Sequence, residues 1–182
     1  MNKENSYVRV YLKNMLLTAL AAVLLLLLAY FSVHSGKNAI LDRQQLCMEQ
    51  WNAIHDLSAT KLHLLEKLQE PGLPVLPEEM INGVPNTRPL ARFLENCDSL
   101  ALKMTGNENR TADYRILQEY INHSHEMKAA VSQYNDLVRE SNHFMKEFPN
   151  NFYSSLFSIP SLPDFRENDN YLSNIELYLL QY

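Results

Sequence analysis

The stretch "AVSQYNDLVRESNHFMKEFPNNF", residues 130–152, reads as the end of a long helix that stops at Phe148-Pro149. Followed backwards, its apolar stripe takes in Leu117, Tyr120, Ser124, Met127, Val131, Tyr134, Val138, Ser141, Met145 and Phe148, at unbroken intervals of three and four. A repeat of about 3.5 residues stays on one side of a helix only if that helix winds left-handedly along a partner. Over residues 112–148 such a rod is about 55 Å long. Ser124 and Ser141 weaken the stripe but permit close approach. Pro149 ends the helix, because its ring clashes with the preceding turn.

The partner is legible upstream. Residues 37–70 contain no proline or glycine, and Ile40, Gln44, Cys47, Trp51, Ile54, Ser58, Lys61, Leu65 and Leu68 follow the same alternation, with Leu57, Leu62 and Leu64 widening the stripe. A third, shorter helix is predicted over 89–104, with Leu90, Phe93, Leu94, Cys97, Leu100, Ala101 and Met104 on one face and Pro89 in its first turn. "TGNENR" then turns the chain, and Thr111 and Asp113 suit the start of the last long helix. The fold class is all-α: an antiparallel left-handed helical bundle over 37–165.

Between the first two bundle helices lies "PGLPVLPEEMINGVPNTRP", residues 71–89, with five of the eight prolines and two of the four glycines. It reads as a connection at the far end of a stalk rather than as an element. Its apolar residues Leu73, Val75, Leu76, Met80 and Ile81 are candidates for a partner contact. After Pro149, "NNFYSSLFSIPSLPDF" folds back, with Phe152, Leu156, Phe157, Ile159 and Phe165 as anchors. Residues 166–182 form a C-terminal extension, a last short helix or strand.

Ahead of the bundle, "MLLTALAAVLLLLLAYFSV" begins at Met15 and ends at Val33, nineteen residues without a charge or a proline. It covers roughly 28 Å, close to a hydrocarbon core of about 30 Å, and so predicts a single transmembrane helix in contact with the lipid bilayer. A cleaved signal has a shorter apolar core, of about 7 to 15 residues, although Val33 and Ser35 are acceptably spaced for cleavage. Neither Cys47 nor Cys97 stands at the end of the run, as a lipoprotein would need. Only Ser35-Gly36 separates span from bundle, which predicts a nearly continuous stalk.

Lys3, Arg9 and Lys13 against Glu4 give the tail 1–14 a net charge of +2 and favour a cytoplasmic amino terminus with the body outside. Of the 16 basic and 21 acidic residues in the chain, 13 and 20 then fall in the body, a net charge of −7. Such a body repels phosphate backbones, so no nucleic-acid partner is expected. The two cysteines lie at different heights on their helices and are expected to be unpaired, buried thiols.

The motifs of "YNDLV" (134–138), "SNHFMKEFPNNFYSSLFS" (141–158), the late Phe165 and, earlier, "EQWNAI" (49–54) with the single tryptophan resemble the LemA family of bacterial membrane-anchored proteins. The segment "SATKLHLLEKL", 58–68, departs from the paired-arginine and "DLIPNLV"-like run that the family usually carries there. The resemblance implies a single-pass protein of the bacterial inner membrane with an antiparallel helical body and no defined catalytic activity. Partners are then expected to be other envelope proteins, with a homo-oligomer open.

No catalytic, cofactor-binding or metal site is expected. Glu140 and His143 stand three apart, as in di-iron carboxylate bundles, but no second such pair accompanies them. His123 and His125 point to different helix faces, while Glu119, His123 and Glu126 form a polar stripe. Four scattered glycines make no phosphate loop, and no serine has nucleophile-elbow flanks. Tyr134 is expected to fill the seam with its ring and leave its hydroxyl at the edge, with Asn135 bonding a neighbouring carbonyl. The function expected is a structural or protein-interaction component, not an enzyme, with an extracytoplasmic ligand-binding or sensing module working with a partner receptor as the alternative.

Overall fold

The computed structural model describes residues 3–68, 72–105 and 114–166, with side chains from residue 11 onward except those of 104 and 105. The charged side chains of the tail before Tyr11, the turn with Thr111 and Asp113, the side chain of Met104 and the extension 167–182 lie outside the described residues.

The first element, α1 (Lys3–Lys67), is one unbroken helix of 65 residues, about 100 Å long. The apolar run 15–33 and the helix that follows Gly36 are thus a single rod. It passes through Gly36 although a mid-helix glycine costs about 1 kcal/mol. The reason is packing. A Cβ on Gly36 would overlap the ring carbons Cδ2 and Cε2 of Tyr153, so only glycine lets that ring rest on the helix backbone.

Among the described residues the later helices are α2 (Thr87–Thr105), α3 (Tyr114–Lys146) and α4 (Asn150–Leu156). Helix α3 lies along α1 with residue numbers opposed: Lys61 Nζ is 4.7 Å from the centre of the Tyr120 ring, Gln50 Nε2 donates to Ala130 O, and Arg43 pairs with Glu140. Nine of the ten stripe positions on α3 are buried. Phe148 is not: it is 86% exposed, because the helix ends at Lys146, before the stripe's last residue. On α1, Ile40, Cys47, Trp51, Ile54, Ser58, Lys61, Leu65 and Leu68 are buried and Gln44 is half-buried. The seam serines cost little, because Ser58 donates to Ile54 O and Ser124 to Tyr120 O within their own helices.

The proline-rich connection differs from expectation in two ways. It contains a small hairpin, β1 (Met80–Ile81) and β2 (Val84–Pro85), paired Met80 to Pro85 and Ile81 to Val84. Asn82 and Gly83 form its turn at φ 53° and 75°, the left-handed pair that an Asn-Gly hairpin requires. Nor does it stand clear at the end of the stalk. Trp51 Nε1 donates to Glu79 O at 3.0 Å, and the His55 ring lies 3.4 Å from Pro77 O, so the segment is fastened back along α1. Leu73 and Leu76 pack on the core, while Val75, Met80 and Ile81 remain exposed.

The fold-back after Pro149 keeps Phe165 as an anchor, as expected, but otherwise uses different ones. Phe152, Leu156 and Phe157 are exposed, and the buried apolar residues are Tyr153, Leu162 and Phe165. Ile159 packs at the edge of a small cluster of Ile40, Met145 and Tyr153. Residues 159–166 form an extended strap along α3. Asn142 exchanges two hydrogen bonds with the Leu162 backbone, and Asn135 exchanges two with that of Phe165. The register is geometric: seven helical residues and three extended ones both span about 10 Å. Phe165 is thereby held against Trp51 (6.0 Å between ring centres), which also meets Tyr134 at 5.5 Å.

Candidate functional site

Among the described residues, two clusters of polar side chains are not explained by the apolar seam. The first is buried. Lys61 on α1 sends its ammonium to Asp98 Oδ1 on α2 at 2.7 Å, and Tyr120 on α3 donates its hydroxyl to the same oxygen at 2.6 Å. Lys61 is fully buried and Asp98 is 5% exposed, so this is an ion pair shielded from solvent, placed where three helices meet. Breaking such a pair leaves an uncompensated charge inside the protein, whereas its net contribution to stability is small. Its physical consequence is register, because only one alignment of α1, α2 and α3 brings the three groups together. Beside it, burial pushes the Cys97 thiol up to about 12, against the opposing effect of Lys61. Burial also raises the Cys47 thiol, and both cysteines are free.

The second cluster opens to solvent. A pocket of about 450 Å³ lies between the start of α2 and the strap, lined by Thr87, Arg88, Arg92, Pro163, Asp164 and Arg166. Arg88 and Arg92 stand four apart on α2, on the same side of the helix, and the strap brings Arg166 to them. None of the three makes an ion pair with a described residue, whereas Arg43, Arg115 and Arg139 each do, with Glu140, Glu119 and Asp136. Thr87 is only 8% exposed and makes no side-chain hydrogen bond among the described residues. Within an acidic body, three arginines lining one pocket with a single carboxylate residue, Asp164, form the place best suited to an oxyanion such as a carboxylate or phosphate.

The remaining candidates are dispersed. Glu140 is taken by Arg43 at 2.5 Å, while His143 faces Glu147 at 3.3 Å, so these two do not converge. His123 meets Glu126 and Glu119 meets Arg115, both at the surface. Among the described residues no group of three or more His, Cys, Asp or Glu side chains is arranged to hold a metal ion. Tyr134 donates its hydroxyl to Pro163 O, and Asn135 bonds the Phe165 backbone, so both fasten the strap. The Lys61–Asp98 pair was half visible in the sequence as a lysine on an apolar stripe. The arginine pocket was not, because Arg166 joins it only through the strap.

Comparison with known proteins adds no assignment: the chain matches no family model, no curated protein and no solved structure.

Proposed function

We propose that this chain is a membrane-anchored helical protein of the LemA type, in which an antiparallel left-handed bundle stands on a single span and serves as a structural or protein-interaction component of the bacterial envelope. One helix near its amino terminus is long and apolar enough to cross a membrane. The observation that carries the proposal is where the packing begins. Every residue from Tyr11 to Ser32 is exposed, so the described part of the body touches this apolar run only at its end, and burial starts at Val33, its last residue. A core helix of a water-soluble protein would be covered, and bare leucines along about 30 Å suit hydrocarbon.

The same geometry speaks against removal of the span. Cleavage after Ser35 would cut α1 in mid-helix, directly beside the glycine on which Tyr153 rests. On this reading the tail before the span is cytoplasmic and the body stands outside the inner membrane.

Its partner surface is the exposed edge of the proline-rich connection, Val75, Met80 and Ile81. A photo-cross-linker at Ile81 in the full chain, followed by purification in mild detergent, tests this. The expected result is a discrete protein adduct that disappears in Val75→Asp and persists in Gln133→Ala, a change on the exposed side of α3. Absence of any adduct overturns the interaction role.

A second reading, an extracytoplasmic module that binds an anionic ligand and works with a partner receptor, is favoured by the three arginines that face one pocket. Native mass spectrometry of the purified chain separates the two. A small anion retained by the wild type and lost in Arg88→Glu/Arg92→Glu favours the binding module.

A further inference from the structure

A long helix that halts at "FPNN" needs a physical reason to halt there. We propose that it stops at the bilayer, and that residues 148–157 form a foot whose Phe148, Phe152 and Leu156 enter the boundary between headgroups and acyl chains. The inference rests on the reading that residues 15–33 lie in lipid.

Height along α1 can be followed by its contacts with α3. Lys61 meets Tyr120, Gln50 meets Ala130 and Arg43 meets Glu140, so α3 descends as α1 rises. The chain leaving α3 reaches the level of Gly36, where the Tyr153 ring rests on the backbone. The Tyr153 hydroxyl lies 3.1 Å from Ser32 Oγ, in the last turn of the apolar run. Val33 packs against the same small cluster, and the Lys37 ammonium sits 5.0 Å over the Phe157 ring. Thus α4 lies at the mouth of the span.

What this foot exposes is unlike the rest of the body. Phe148 is 86% exposed, Phe152 57% and Leu156 54%, and among the described residues every exposed phenylalanine outside the span falls within 148–157. Within α4, Phe152 and Leu156 stand four apart on one side while Tyr153 is turned inward. The rod ends there with Lys146, and Lys37 lies close by, two cations suited to phosphate headgroups. On α1 itself, Tyr30 and Phe31 are exposed at the same level, where aromatic side chains favour a membrane–water interface. Scattered exposed apolar residues higher up are ordinary, but a row of aromatic groups beside a span has lipid as its natural cover.

The test uses the full chain reconstituted in vesicles of phosphatidylethanolamine and phosphatidylglycerol. Spin labels are placed at Phe152→Cys, Leu156→Cys, Leu24→Cys and Gln133→Cys, one at a time; the native Cys47 and Cys97 are buried. Collisions with oxygen report lipid, and collisions with a nickel chelate report water. The expected result is that labels at 152 and 156 collide with oxygen more than the label at 133 and less than the label at 24, and are shielded severalfold from nickel relative to 133. If 24 is in lipid while 152 and 156 behave like 133, the foot is overturned and the anchor stands. If 152 and 156 are shielded from both reagents, protein covers them and the foot is likewise overturned. If 24 itself is in water, the anchor fails and takes the foot with it.

Discussion

The ring of Tyr153 rests on the backbone of Gly36, across a gap that any side chain on that residue would close. This contact joins the fold-back after α3 to the middle of the longest helix. It makes opposite predictions in two backgrounds. In the wild type, Gly36→Ala should lower the melting temperature of the detergent-solubilised chain, since overpacking costs about 1–3 kcal/mol. In Tyr153→Ala, where the ring is gone, the same change should raise it, by the helix preference of alanine of about 1 kcal/mol. A stabilising effect in both backgrounds would show that the ring does not sit there.

Lys61 and Asp98 should behave as a buried pair whose loss is asymmetric. Asp98→Asn leaves the ammonium unpaired and should cost about 3–5 kcal/mol. Replacing all three polar groups, with Lys61→Met, Asp98→Leu and Tyr120→Phe, should restore most of the stability, because no buried charge remains. Urea unfolding of the wild type, the single variant and the triple variant, read by circular dichroism, checks the ordering.

The strap depends on two amides placed seven residues apart. Asn135→Ala removes two hydrogen bonds to the Phe165 backbone, and Asn142→Ala removes two to that of Leu162. Each change should cost about 1–3 kcal/mol. Asn135→Asp keeps the acceptor for the Phe165 amide but turns a carboxylate oxygen towards its carbonyl, so it should not rescue. Amide hydrogen exchange at Leu162 and Phe165 should accelerate together with the loss of melting temperature.

The long helices and their shared seam were legible because a 3.5-residue stripe leaves one physical solution, a partner helix on that side. Trp51, Tyr134 and Val138 fell where the stripe put them. The misreadings came from features with no period. The Asn82-Gly83 turn is a hairpin signal, but it stands among prolines that argue for an irregular connection. Tyr153 took the place expected for Phe152, because the glycine that receives it sits far back in the chain and reads only as a weak point in a helix. Phe148 continued the stripe on paper after the helix had ended. For the candidate pocket, Arg88 and Arg92 stand four apart on a helix, but no site was expected there, and nothing local announces that Arg166 joins them.

Burial raises the Cys97 thiol from 9.0 to about 12, the thiolate being deprived of water. The sign of the linkage follows. Below pH 9 folded and unfolded chains both keep the proton, and its contribution to stability is intact. As pH rises from 9 towards 12 the unfolded chain loses the proton first, and stability falls by about 1.4 kcal/mol per pH unit for that one group. The Cys97→Ala chain should therefore lose less melting temperature than the wild type between pH 9 and 11. Over the same range the native thiols should resist maleimide until the chain is unfolded.

If an uncovered apolar rod holds this body to a bilayer, the full chain must resist alkaline carbonate extraction of the membranes that contain it. The intact protein should stay with the lipid pellet; its recovery in the supernatant would refute the anchor and everything built upon it.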